Sequence, residues 1–310
     1  MKVKTIQGIP TGHEDDVFVV STSGGKDSTA AAAEMTALAK RTGVRVRYVF
    51  ADTGWEAPET YEYLHTIERA LGITIDRVGY PGGMVAKIKE SARFPARKQR
   101  WCTRELKINP ITDYCHELSA RENADIVQVV GIRADESESR AQMAEFERDD
   151  SRDVYVWRPL MGWSVEDVLA AHHRASVPVN PLYKRGHNRV GCWPCIYSSK
   201  EEIRLWAEHD PARVQEIADL ERWCEEERER RNAVTPGRYT HDIAMFFQSR
   251  ETKKMPDGKR VYLPVHVEDV VEWSKTARGG RQFMLVAPQG GGCFRWGMCE
   301  PPAQTETDDE

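Results

Sequence analysis

Residues 23–28 read Ser-Gly-Gly-Lys-Asp-Ser, between the apolar run Val17–Val20 and an alanine-rich stretch. Glycines without Cβ atoms let backbone amides come close to an oxyanion. Lys26 adds a full positive charge, and Ser23 and Ser28 add hydroxyl donors. A helix starting near Asp27 would add the positive end of its dipole. The chemistry suited to this set is the holding of a phosphate chain. Asp27 is the odd member, because a carboxylate beside phosphates is repulsive unless a cation lies between them. Mg²⁺ bridging Asp27 and a polyphosphate resolves the conflict. Two phosphate-loop templates fail on spacing: Val20 stands where the Walker loop needs its first glycine and Asp27 where it needs Ser or Thr, and GxGxxG is absent.

The cysteines form a second set: Cys102, Cys115, Cys192, Cys195, Cys224, Cys293 and Cys299. Disulfides are rare in a reducing compartment, so metal or redox chemistry is the better reading of any cluster among them. Gly-Cys-Trp-Pro-Cys places Cys192 and Cys195 where both thiolates can chelate one metal centre. That spacing is shared by zinc sites, iron–sulfur sites and redox dithiols. Cys115 reads as a core residue on a helix and Cys224, among glutamates, as a bystander. Arg133 and Arg140 flank Ala-Asp-Glu-Ser-Glu-Ser, where bidentate guanidinium groups suit a doubly charged oxyanion; pairing with the neighbouring glutamates is the plainer reading. The basic run 93–107, with Arg93, Arg97, Lys98, Arg100, Arg104 and Lys107, could steer a nucleic acid backbone or serve a small nucleotide equally well. His172, His173 and His187 are available ligands, although scattered histidines are more often surface or core. Trp101, Trp157, Trp163 and Trp193 could stack on a base but fit the core as well.

Something must carry these groups to one place. Short β-branched runs at 16–23, 44–54, 73–80 and 124–137 alternate with helical patterns ending at Gly43 and Gly72. That alternation predicts a doubly wound, mainly parallel α/β sheet, in which ligands bind beyond the carboxyl ends of the strands. The segments around Lys26, Asp52 and Arg133 all follow strands and should converge there. Residues 1–200 are expected to form this nucleotide-binding unit with its cysteines. Residues 201–300 form a mainly helical appendage, with Leu205, Trp206, Val214, Ile217 and Leu220 as its apolar stripe, and 301–310 form a disordered acidic tail. The chain of 310 residues is 40% hydrophobic and 30% charged with a formal net charge of −5, which argues against a broad polyanion-binding surface but not against a local basic groove. No apolar run reaches the ~18 residues of a membrane span, and no secretion signal is visible, so a cytoplasmic location is expected.

Ser-Gly-Gly-Lys-Asp-Ser resembles the PP-loop of ATP pyrophosphatases. Ala-Asp-Thr-Gly-Trp-Glu at 51–56, Arg-Trp-Cys-Thr at 100–103, Gly-Ile-Arg-Ala-Asp-Glu-Ser-Glu-Ser-Arg at 131–140, Trp-Arg-Pro-Leu at 157–160 and Asn-Pro-Leu-Tyr at 180–183 follow in order, then Gly-Cys-Trp-Pro-Cys. Together they resemble the phosphoadenosine phosphosulfate (PAPS) reductase-like branch of the adenine nucleotide alpha-hydrolase superfamily, near its DNA phosphorothioation members. The resemblance implies that Ser21 and the loop Ser23, Gly24, Gly25, Lys26, Asp27 and Ser28 hold nucleotide phosphates, with Lys26 and Asp27 catalytic. It puts Asp52, Thr53 and Gly54 beside the adenosine, and Arg133, Ser137 and Arg140 on phosphate or sulfate. It implies that Cys102, Cys192 and Cys195 ligate a [4Fe–4S] cluster, with Cys299 as first choice for a fourth ligand, Cys293 second, or an open iron position. The expected cofactors are ATP, Mg²⁺ and the cluster, and the expected partners a sulfur donor such as a cysteine desulfurase and a nucleic acid acceptor. Members of this branch that reduce sulfonucleotides use altered loops and a cysteine in a C-terminal Glu-Cys-Gly-Leu-His-like segment, which is missing here. ATP cleavage with sulfur transfer is therefore the leading expectation, a sulfonucleotide reductase the second. A nucleotide-binding module with zinc on Cys192, Cys195, Cys293 and Cys299 is the third.

Overall fold

In the computed structural model the described residues are 5–6, 8–96, 99–239, 245–247, 252–254, 258, 260–262 and 265–276. Six strands form the central sheet: β1 (Val17–Ser21), β2 (Arg45–Ala51), β3 (Ile75–Val78), β4 (Ile126–Val130), β5 (Phe146–Asp149) and β6 (Val154–Trp157), in the order β3-β2-β1-β4-β6-β5. All neighbours are parallel except β5 and β6, which pair antiparallel at one edge. The fold is thus a doubly wound α/β sheet, mainly parallel. The last two strands were not legible as strands, since Phe-Glu-Arg-Asp is short and charged and β5 is paired on one side only.

β1 is apolar from Val17 to Val20 and fully buried, as a strand covered on both faces must be. Helix α1 (Lys26–Thr42) follows after four residues and packs Ala30, Ala31, Ala32 and Ala33 inward. These small side chains let the helix lie close to the sheet. Gly43, at φ +80°, ends it in the left-handed conformation, its N–H bonded to the Ala39 carbonyl at 2.8 Å. Helix α2 (Pro58–Leu71) ends in the same way at Gly72. Strand order reverses at β1, where Ser21 pairs with Val49 on one side and Val130 on the other. The ends of β1 and β4 are therefore the topological switch point, the usual ligand position in such sheets.

A second apolar core joins Trp55, Met84, Phe94, Trp101 and Trp193 to Trp206, Ile217, Leu220, Cys224 and Phe246. It rests on α3 (Lys200–His209) and α4 (Pro211–Val234), which break at the Asp210–Pro211 step where proline cannot donate. Of the stripe expected along them, Trp206, Ile217 and Leu220 are buried, while Leu205 and Val214 are partly covered. The 301–310 tail lies outside the described residues.

Candidate active site

The turn after β1 is the candidate anion cradle. Gly24 adopts φ +74°, and a Cβ there would sit 3.0 Å from the Thr60 methyl. Ser28 Oγ accepts the Ser23 N–H at 3.1 Å, lies 3.0 Å from Ser23 Oγ and donates to the Gly25 carbonyl at 3.0 Å, so both serines shape the loop. Lys26 opens α1 and is buried with its Nζ 2.6 Å from Asp27 Oδ2. The other oxygen of Asp27 receives Arg133 Nε at 2.5 Å. The carboxylate beside the cradle is thus neutralised from within the chain, by two cations. This second resolution of the charge conflict was invisible in the sequence, where only Mg²⁺ offered itself. The two cations, set against Asp27 and the half-exposed Asp135, sit at the amino end of α1, whose dipole favours an anionic ligand.

The loop after β4 is pressed against that helix end. A Cβ on Gly131 would lie 2.6 Å from the Asp27 carbonyl oxygen, so only glycine permits the approach. Arg133 is 3% exposed, and its Nη1 reaches Asp135 at 2.5 Å and the Trp163 carbonyl at 3.3 Å. Burial alone would lower its pKa, but Asp27 and Asp135 outweigh it and raise the value. Ser137 caps the short turn 138–141 by accepting the Arg140 N–H, and Arg140 pairs with Glu136. Ser21 stands apart from the loop hydroxyls, with its Oγ receiving Gln128 Nε2 at 3.1 Å.

The loop after β2 carries Asp52, Thr53 and Gly54. Asp52 Oδ1 accepts Gly54 N–H at 2.9 Å and Tyr61 Oη at 2.8 Å. Thr53 is wholly buried, its hydroxyl 2.7 Å from Glu56 Oε1. Glu56, which the sequence reading passed over, is the anchor of this loop: it also accepts the N–H of Thr53 and of Trp55, both at 3.2 Å. Glu56 forms an isolated antiparallel bridge with Cys192, and Trp193 N–H reaches the Trp55 carbonyl at 2.7 Å. The cysteine loop therefore hangs from the same end of the sheet as the cradle. Lys107 lies between them, 4.0 Å from Glu56 and within electrostatic reach of Cys192.

Cys102, Cys192 and Cys195 pack on one apolar cluster and feel each other's charge. Burial and the neighbouring Cys192 raise the Cys102 thiol, and burial raises Cys192 against the opposing pull of Lys107. In both the net direction is upward, toward the protonated thiol. Three soft sulfur donors from two segments fit a thiolate-held group. Among the described residues no three His, Cys, Asp or Glu side chains close around a single ion. An iron–sulfur cube holds its thiolates farther apart than one ion does. Cys293 and Cys299, and with them any fourth ligand or four-cysteine zinc site, lie outside the described residues. Cys115 is buried in the core, its thiol pushed up to about 12 by burial, and Cys224 is likewise buried.

Other residues named from the sequence make contacts within the chain. His172 lies between the Lys26 and Val177 carbonyls at 2.8 and 3.1 Å, and His187 is 3.2 Å from His209. Trp157 packs edge-on against Phe18, and Trp193 against His187. Within the basic run, Arg100 lies over the Tyr197 ring at 5.2 Å, and Arg97 and Lys98 fall outside the described residues. No helix among the described residues is long and apolar enough to cross a membrane.

Sheet order defines a protein of the doubly wound α/β class, with the glycine turn and the paired cations at the strand-order switch. The chain belongs to the phosphoadenosine phosphosulfate reductase domain family, which matches residues 17–198. It is 29% identical over 325 residues to an uncharacterized 37.8 kDa protein of Escherichia phage 186, covering 88% of this chain and 92% of that one. It is 30% identical over 192 residues to the adenosine 5'-phosphosulfate reductase of Allochromatium vinosum, covering 59% of this chain and 69% of the reductase. Among solved structures, a Candida auris phosphoadenylyl-sulfate reductase aligns with a TM-score of 0.43 and 18% identity, over 57% of this chain and 81% of that chain.

Proposed function

We propose that this protein is an ATP-dependent sulfurtransferase of the PP-loop pyrophosphatase kind. The observation that carries the reading is the triad that Lys26 and Asp27, on the first turn of α1, form with Arg133 from the loop after β4. Paired, buried cations there suit a departing polyphosphate, which an enzyme acting on an already activated sulfonucleotide never releases. An acceptor oxygen attacks the α-phosphorus of ATP, the bond to the β-phosphate breaks, and pyrophosphate leaves. Lys26, Arg133 and the loop amides stabilise its growing charge, and Asp27 holds the two cations in place; Mg²⁺, when bound, would be held by Asp27 and would supply further charge neutralisation. Hydrosulfide-level sulfur then displaces AMP, which departs with the oxygen. A [4Fe–4S] cluster on Cys102, Cys192 and Cys195 would supply the sulfur-handling chemistry when bound. The acceptor class is an oxygen-bearing base or other nucleic acid group, and the donor a cysteine-desulfurase-type partner.

The test is incubation with Mg-ATP and candidate acceptors, with AMP and pyrophosphate as products. Lys26→Ala should reduce both at least about 100-fold, the loss expected for a charged group stabilising the leaving group. Absence of both products from anaerobically prepared wild type, acceptors included, refutes the reading. The similarity to an adenosine 5'-phosphosulfate reductase supports a second one. There a thiol attacks the sulfonyl sulfur, AMP leaves, and a second thiol releases sulfite as a disulfide forms. Sulfite from adenylyl-sulfate with a thiol reductant, and no pyrophosphate from ATP, would select it.

A further inference from the structure

The cradle is held from behind by three side chains lying 146 to 157 residues further along the chain. His172 Nε2 lies 2.8 Å from the Lys26 carbonyl, and Tyr183 Oη accepts the Lys26 N–H at 3.1 Å. The third is Asn180, fully buried, whose Nδ2 donates to the Gly24 carbonyl at 3.2 Å. Its Oδ1 accepts the Leu182 N–H at 3.0 Å. These partners fix the orientation of the amide, since a carbonyl can only accept and an N–H only donate.

The geometry matters because of the peptide that Asn180 grips. In a trans peptide the carbonyl and the following N–H point to opposite sides. Drawing the Gly24 oxygen toward buried Asn180 therefore turns the Gly25 N–H away from it, to the open side of the loop. With glycine on both sides, nothing intrinsic to this peptide prevents it from flipping. The flipped form would present an oxygen to the ligand in place of a donor. We propose that Asn180 sets the oxyanion-binding orientation of the Gly24–Gly25 peptide, as a positioning residue with no contact to nucleotide of its own. This deepens the functional reading and rests on it only in requiring that the loop bind phosphate.

Asn180→Asp tests it. The variant keeps the oxygen that caps Leu182 and replaces the donor with an oxygen facing the Gly24 carbonyl. Calorimetric titration with Mg-pyrophosphate, Mg-ATP and adenosine should show pyrophosphate and ATP affinity reduced about 10- to 100-fold, the span for one lost hydrogen bond to a charged acceptor. Adenosine affinity should be unchanged. Asn180→Ala removes the donor without adding repulsion, and should show the same selectivity with a smaller loss; it serves alone if the aspartate variant does not fold. Wild-type affinity for all three ligands in both variants overturns the proposal, and so does an equal loss for adenosine, which would mark general damage. A wild type that binds neither pyrophosphate nor ATP instead overturns the nucleotide reading.

Discussion

Gly131→Ala is the sharpest probe of how the site is assembled. The added Cβ would lie 2.6 Å from the Asp27 carbonyl oxygen, 2.7 Å from its carbon and 2.8 Å from the Ser28 nitrogen. All three are backbone atoms in the first turn of α1, and that helix is backed by buried alanines. No flexible side chain can yield, so helix and strand end must part by several tenths of an ångström. Overpacking of this kind costs about 1–3 kcal/mol. For a domain of this size each kcal/mol lowers Tm by roughly 2–4 °C. The same movement pulls on the 2.5 Å contact between Arg133 and Asp27, so affinity for Mg-pyrophosphate should fall together with stability. Calorimetric melting and pyrophosphate titration measure the two. The control is Gly162→Ala, where a Cβ meets nothing within 4 Å. Indistinguishable melting of the two variants would refute the close-approach reasoning.

Two buried groups predict opposite pH dependences of stability. Glu221 accepts the N–H of Phe246 and of Val267, each at 2.9 Å, but burial outweighs both bonds and raises its pKa to about 7. Its folded value exceeds its unfolded one, so its contribution is complete below about pH 4.5 and is lost as pH rises through about 7; Glu221→Gln should remove about 3 kcal/mol of decline, read by urea unfolding from pH 5 to 8. His187 is lowered to about 4, first by burial and then by His209 and Arg185. Its contribution is complete above about pH 6.5 and lost as pH falls through about 4, so His187→Gln should flatten the acid limb of the same curve. For the cysteines, iron and sulfide should be found in anaerobically purified wild type and be lost together in Cys192→Ser. Zinc in their place would refute the cluster.

The strands around the cradle were legible because each is a short apolar run closed by a glycine or polar turn, and the loop because its charges sit at a strand–helix junction. Spacing singled out Cys192 and Cys195 alone; Cys102, 90 residues before Cys192, joined them only through the family resemblance. The residues that hold the site in shape were not legible. Lys107, Asn180 and Tyr183 act through long-range hydrogen bonds or ion pairs, and Glu56 through several bonds to its own loop; no periodicity records such partners. Asp27 shows the same limit. Its neighbour Lys26 was visible, but the second cation comes from Arg133, across the reversal in strand order. A reading along the chain therefore left the carboxylate to an external metal.

The backbone bridge between Glu56 and Cys192, with Trp193 tied to Trp55, makes one mechanical body of what look like separate stations. A change of shape in the loop that carries Cys192 and Trp193 is therefore passed directly to the segment that carries Asp52 and Thr53.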